Sequence, residues 1–174
     1  MDLRKLNEPC VHDPFTTPFK DEVLENVGDQ EAYSFTDGFS GYHQIKIMPG
    51  DGRKTTFAIE WGCFQYTIMP IGLKNMSVIF ACIVVVSFKE YIHKILEVYL
   101  DDWNIFGFVK HHVASLRLML DTFRQHQIEL NLKKCTFLVP FGNLLGHVVC
   151  KKGLMVDLAK IVVILNLEAL HSVK

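Results

Sequence analysis

An excess of charge is the first thing the sequence lacks. Eighteen Lys and Arg against nineteen Asp and Glu leave a formal net charge of -1, so no strongly basic surface marks the chain as a nucleic-acid binder, and any such contact has to rest on local groups. Cysteine is sparse and unpatterned: Cys10, Cys63, Cys82, Cys135 and Cys150 are odd in number and contain no C-x-x-C pair. That spacing excludes a disulfide framework and a zinc knuckle and points to reduced, mostly buried thiols. No apolar run reaches a membrane span. The longest, "NMSVIFACIVVVSF" from Asn75 to Phe88, falls short of the roughly 18 to 20 residues needed and reads as a buried element. "MDLRKLNEPC" carries neither an apolar core nor a small-residue cleavage site, so no secretory leader is visible and an intracellular chain is expected, without separating cytoplasm from nucleus. Repeats and low-complexity linkers are also missing. What remains is 174 residues, 49% hydrophobic and 21% charged, enough apolar material for the core of one globular domain.

After an irregular lead-in, "NEPCVHDPFTTPF", the segment "KDEVLENV" has the pattern of a short amphipathic helix. "AYSFTD" and "YHQIKIM" read as strands punctuated by Gly38 and Gly41. "KTTFAIEWGCFQYTIM" predicts a hairpin turning at Trp61 and Gly62. The run from Asn75 to Phe88 has the length of a helix despite Val84, Val85 and Val86. From Val109 to Leu130, apolar residues at Val113, Leu116, Leu120, Phe123 and Ile128 follow helical spacing. "TFLV" and "NLLGHVVC" suggest a closing pair of strands, and "DLAKIVVILNLEAL" a last helix begun by Asp157. Antiparallel strands with helices packed on one face make an α+β domain.

Within "VYLDDWNIF", Asp101 and Asp102 sit side by side between two apolar strands. A solvated turn explains such a doublet by itself, since Asp tolerates turn geometry. Asp37 adds a second reading, because it ends the apolar strand "AYSFT" and a strand delivers its last side chain to a sheet edge. Three converging carboxylates repel one another unless a cation lies among them. A hard divalent ion meets that need, taking one or two protein carboxylates and completing its shell with phosphate oxygens. Two such ions support phosphoryl or nucleotidyl transfer.

At these residues the chain resembles the reverse transcriptase of Gypsy-type LTR retrotransposons. "DLRKLN", "DPFTTPF", "YSFTDGFSGYHQIKI", "KTTFAIEWGCFQYTIMPIGLKN", "VYLDD", "LNLKKCTF", "LLGHVV" and "GLMVDLAKI" stand in the family's order over nearly the whole chain. The resemblance implies a palm-like antiparallel sheet with part of the fingers: 1–30 and 45–75 fingers-like and connecting, 31–44 and 76–150 palm, 151–174 the start of the region after the palm. It implies RNA-directed DNA polymerase activity, with two Mg²⁺ ions, or Mn²⁺ in their place, held by Asp37, Asp101 and Asp102. Asp37 and Asp101 would be the principal ligands.

Gly38, Phe39 and Tyr42 match the family's nucleotide side, with Tyr42 as the aromatic gate against ribonucleotides. Leu145, Gly146 and His147 match its primer-holding hairpin, and Met69, Pro70, Gly72 and Asn75 its template-side turn. Each also has a plain structural reading: an aromatic strand residue for Tyr42, a turn glycine for Gly38, a strand residue for His147, a turn for Pro70 and Gly72. Lys133 and Lys134 suit a phosphate contact or, preferably, a solvated helix end. The implied partners are a primed RNA or DNA template and deoxynucleoside triphosphates, with no membrane. The family's basic fingers, thumb and ribonuclease H regions lie outside these 174 residues, so the chain alone is expected to be inactive.

Departures from the pattern are Met76 and Ser77 for Ala-Pro, Ala81 for Gln, Trp103 and Asn104 after the doublet, and Thr16 and Leu158 for proline. They set up the alternative of an inactive remnant, with Asn104 expected to weaken its strand.

Overall fold

The computed structural model describes residues 3–15, 18–39 and 41–167. Asp2, Thr16 and the end of the expected last helix therefore lie outside the described residues. The elements run in the order α1 (Arg4–Asn7), α2 (Lys20–Val27), β1 (Ala32–Asp37), β2 (Phe57–Ile59), β3 (Gly62–Phe64), α3 (Met76–Phe88), β4 (Leu96–Tyr99), β5 (Asp102–Gly107), α4 (Val109–Gln125), β6 (Thr136–Val139), β7 (Phe141–Leu144), β8 (His147–Cys150), β9 (Gly153–Val156) and α5 (Leu158–Leu165). An antiparallel sheet in the order β4-β5-β1-β6 is the centre; β2-β3 and β7-β8-β9 form separate sheets.

Side chains alternate across a strand, and the register sorts them onto two faces. Thr36 pairs with Trp103 and Ser34 with Ile105, whereas Tyr33 pairs with Phe106 and Asp37 with Asp102. The first face carries a core of Trp103, Ile105, Leu96 and Val98 against Phe80, Val84 and Phe88 of α3 and Met119 and Phe123 of α4. The second joins Tyr33 and Phe106 to Val23, Leu24 and Val27 of α2 and to Leu144 and Val149 of the three-stranded sheet. Helices on one face thus describes α3 and α4, while α2 lies opposite with β7–β9.

Asn104 does not interrupt β5. It occupies the middle of a six-residue strand with both neighbours paired. Met76 and Ser77 open a regular thirteen-residue helix.

Four local expectations are corrected. The segment 42–48 is not a strand: Gly41–Gln44 is a turn of 3₁₀ helix, and only Lys46 bridges, to Ile68. Gly41 is the cause, because a Cβ there would stand 2.7 Å from the Phe80 ring, so the backbone bends closely around that ring. The β2–β3 turn falls at Glu60 and Trp61, with Gly62 already in β3. α4 stops at Gln125, where Gln127 turns left-handed (φ 56°) and Ile128 N–H donates back to the Phe123 carbonyl. "NLLGHVVC" is a hairpin, not one strand: Leu145 and Gly146 both have positive φ (50° and 81°), the geometry of a two-residue turn that matches strand twist. β9 had no expected counterpart. Among the cysteines only Cys150 is buried; Cys63 is exposed and the other three are intermediate.

Candidate active site

β1 and β5 run antiparallel, so the end of one meets the beginning of the other and Asp37 stands in register opposite Asp102. Like charges so paired are unfavourable, and the hairpin geometry adds a third. Asp101 is the second of two residues linking β4 to β5, after Leu100. Leu100, not an aspartate, takes the left-handed conformation (φ 53°), a strain of order 1 kcal/mol or more for a branched side chain. The Gly38 N–H donates to the Asp101 carbonyl at 3.1 Å, fixing the turn against the end of β1.

The electrostatics are a consequence of this crowding. Desolvation, then the charges of Asp102 and Asp37, raise the Asp101 carboxyl above its ordinary range, with Lys134 acting in opposition. Asp102 is raised by desolvation and by Asp37, again against Lys134. By surface area Asp102 is exposed, yet it lines a concave cleft where the neighbouring protein displaces part of its water. Asp37 and Asp102 face a cavity of about 250 Å³ together with Asn104, Lys134, Asn143 and Leu145. The Lys134 ammonium lies 3.1 Å from Asp37 Oδ2.

The doublet therefore divides. Asp102 shares the cleft with Asp37. Asp101 lies close enough to Tyr42 for its charge to raise the phenol, after desolvation, and its Oδ1 is buried without a hydrogen-bond partner.

Among the described residues no three His, Cys, Asp or Glu side chains stand close enough to form a ready metal cage. The donors nevertheless fit a hard divalent ion, being oxygen only, mutually repelling and including that orphaned oxygen; Mg²⁺ requires no more than one or two carboxylates from a protein.

The other expected site residues fall into three places. Gly38 carries no side chain because one would stand 3.0 Å from the Trp103 ring. Phe39 is half exposed and is held by its N–H to the Glu129 carbonyl and by Gln44 Nε2 to its own carbonyl. Tyr42 is partly buried, edge-on to Phe80 at 5.4 Å. Leu145 also lines the acid cavity, with Gly146 beside it in the turn and His147 opening β8; His147 Nδ1 is buried and unpartnered.

Met69, Pro70, Gly72 and Asn75 are not brought to this cavity. Met69 and Pro70 are buried, and Met69 and Asn75 border a separate cavity of about 390 Å³. There the Gly72 carbonyl accepts from Asn7 Nδ2, and Asn75 Nδ2 donates to the Val11 carbonyl while its Oδ1 accepts from Asp13 N–H. These contacts tie the lead-in to the body.

Sequence reasoning did not place Lys134, Asn104 or Asn143 in the cleft. Lys134 sits in a turn rather than at a helix end, and its partner is 97 residues away, so no local pattern could reveal the pair. Asn104 stood out only as a departure, although alternation from Asp102 places it on the cleft face.

The fold is that of solved reverse transcriptases. Foamy viral protease–reverse transcriptase superposes with a TM-score of 0.83 in a complex with RNA/DNA hybrid and 0.86 in one with double-stranded DNA, each at 22% identity over 97% of this chain. The chain belongs to the reverse transcriptase (RNA-dependent DNA polymerase) family, whose model matches residues 1–149. It is 32% identical over 95% of its length to the retrovirus-related Pol polyprotein from transposon 297 of Drosophila melanogaster, and 32% over 92% to that from transposon gypsy. It spans 16% of each of those polyproteins. Members of the family normally use divalent metal ions. No helix among the described residues is long and apolar enough to cross a membrane.

Proposed function

We propose that the chain is the catalytic segment of an RNA-directed DNA polymerase within a retrotransposon polyprotein. In that reaction the primer 3′-hydroxyl oxygen bonds to the α-phosphorus of a deoxynucleoside triphosphate, the bond to the bridging oxygen breaks, and pyrophosphate leaves with the electron pair. The observation that carries this reading is Asp37 in register with Asp102, both facing a cleft that Leu145 also lines, with Asp101 in the adjoining turn. Asp37, Asp101 and Asp102 would hold two Mg²⁺ ions, or Mn²⁺, whose positive charge favours ionisation of the attacking hydroxyl and stabilises the leaving group.

The chain's own part is positioning. Gly38, Phe39 and Tyr42 line the nucleotide side, with the Tyr42 ring restricting the sugar 2′ position. Leu145, Gly146 and His147 hold the primer end over the acids. Met69, Pro70, Gly72 and Asn75 support the template side, through the strapped segment rather than through the acid cavity. A primed RNA or DNA duplex is the partner this arrangement implies, in keeping with the hybrid and duplex bound by the foamy viral enzyme. On this reading 31–44 and 76–150 are palm, 1–30 and 45–75 fingers-like, and 151–174 the start of the region after the palm.

The test is primer extension on a primed RNA template by the chain joined to its native flanking sequence, beside Asp101→Asn, Asp102→Asn. We expect extension that needs Mg²⁺ or Mn²⁺ and falls by at least about a thousandfold in the double variant. Extension untouched by the double variant would overturn the assignment of the acids.

A further inference from the structure

We infer that Lys134 holds the place of a divalent cation in the acid cleft and must leave Asp37 for metal to bind, an inference that rests on the proposed metal-binding role of the acids. The chain brings this ammonium to the acids by backbone rather than by the chance reach of a long side chain. Asn131 N–H donates to the Asp37 carbonyl at 2.8 Å, Leu130 bridges to Gly38, and Lys134 N–H donates to the Asn131 carbonyl at 2.9 Å. The turn so formed runs straight into β6, which pairs with β1. Lys134 is therefore anchored to the strand that ends in Asp37.

Its side chain is nevertheless 66% exposed, whereas that of Asp37 is 18% exposed. The acid is fixed and the cation is free to swing out. Asp37 and Asp102 with one ammonium leave the cleft net negative, and Asp101 in the adjoining turn adds to that charge, which still favours a divalent ion over a single ammonium. An incoming metal and Lys134 nevertheless compete for the same Asp37 Oδ2 electrons. The pair is long-range in sequence and belongs to this chain's folded state, so metal uptake is set against breaking it.

The experiment uses the chain with Mn²⁺ for affinity, read by loss of the free-ion electron paramagnetic signal, and Mg²⁺ for the lysine, read by NMR of [¹³C]lysine-labelled protein. The Lys134 Cε resonance is assigned by its loss in Lys134→Met. We expect that resonance to move towards the exposed-lysine position with the same midpoint as Mg²⁺ uptake, and Lys134→Met to bind Mn²⁺ about tenfold more tightly. Asp37→Asn should abolish the movement.

A Lys134 resonance that stays still while Mg²⁺ is taken up would overturn the inference even if Lys134→Met bound more tightly, because simple repulsion would explain the affinity. It would leave the metal reading intact. Failure of both the parent chain and Lys134→Met to take up Mn²⁺ would remove the metal reading and this inference together.

Discussion

The two faces of β5 make opposite use of one strand. Trp103 and Ile105 point into the larger core and are fully buried; the Trp103 ring stacks on Phe123 at 5.0 Å and on Phe80 at 6.2 Å and meets Phe88 at 6.3 Å. One residue away in each direction, Asp102 and Asn104 line the cleft. The first face packs aromatic and aliphatic side chains against two helices, and its own unmet polar atom is Trp103 Nε1. The second accumulates groups that a stable fold would avoid, namely paired like charges, a buried Asn104 Nδ2 without a partner, and leucines in left-handed turns at positions 100 and 145. Like charges and left-handed leucine turns beside the cleft, with aromatic packing on the other face, are the signature of a site whose strain is supported from behind.

The sharpest way to break this division is through its supporting side. Trp103→Ala removes the ring that Phe80, Phe88 and Phe123 share and that fills the space Gly38 leaves free. We expect a loss of about 3 to 5 kcal/mol, a large part of the roughly 5 to 15 kcal/mol typical of a folded domain, measured as a fall in the urea midpoint. A loss below about 1 kcal/mol would mean that the cleft is not held from this face.

How much of this was legible in the sequence depends on where each constraint originates. β1, the β4–β5 hairpin, α2 and α3 were readable because their apolar runs and punctuation are local. The register that sets Asp37 against Asp102 was inferable from two strand ends carrying acids. Tyr42 reads as a strand residue in the sequence because the deciding contact is the Phe80 ring on Gly41, a packing event some 40 residues away that leaves no mark in local periodicity. Leu145, a residue that ordinarily avoids positive φ, hid the β7–β8 turn from the local residue pattern, and only the family resemblance placed a hairpin there. Lys134 was unreadable for the same reason as Tyr42: its partner is distant.

The acids should show in the pH dependence of stability. Asp101 and Asp102 are raised in the folded chain above the ordinary value of 3.8, so the folded state binds their protons more tightly than the unfolded state does. Their contribution therefore favours folding below the unfolded value and declines as pH rises through the raised folded values. His112 is lowered by burial; folding then costs more as pH falls through its ordinary 6.5, the opposite slope. Subtraction isolates the acids. Urea midpoints measured from about pH 3.5 to 7 should show Asp101→Asn, Asp102→Asn gaining stability relative to the parent at neutral pH, with the gain shrinking towards about pH 4. A gain independent of pH would mean that the carboxyls are not raised.

The smallest effect sharpens the comparison on the cleft face itself. Asn104 is 2% exposed and its Nδ2 has no acceptor. An unmet buried donor costs roughly 1 to 3 kcal/mol, while leucine keeps the branched side-chain skeleton, its extra bulk can extend into the cavity that Asn104 lines, and the partly buried Phe35 directly opposite on β1 offers an apolar neighbour. Asn104→Leu should therefore raise the urea midpoint by the equivalent of about 1 kcal/mol, with no change in the slope of unfolding. Asn104→Asp is the counter-test. It keeps the shape, adds a carboxylate to the cleft of Asp37 and Asp102 and directly opposite the buried Glu97, and should destabilise the chain at neutral pH and recover towards about pH 4. If Asn104→Leu instead lowers stability, the amide is already satisfied by water in the cavity, and the unfavourable terms on this face reduce to the acids and the two turns.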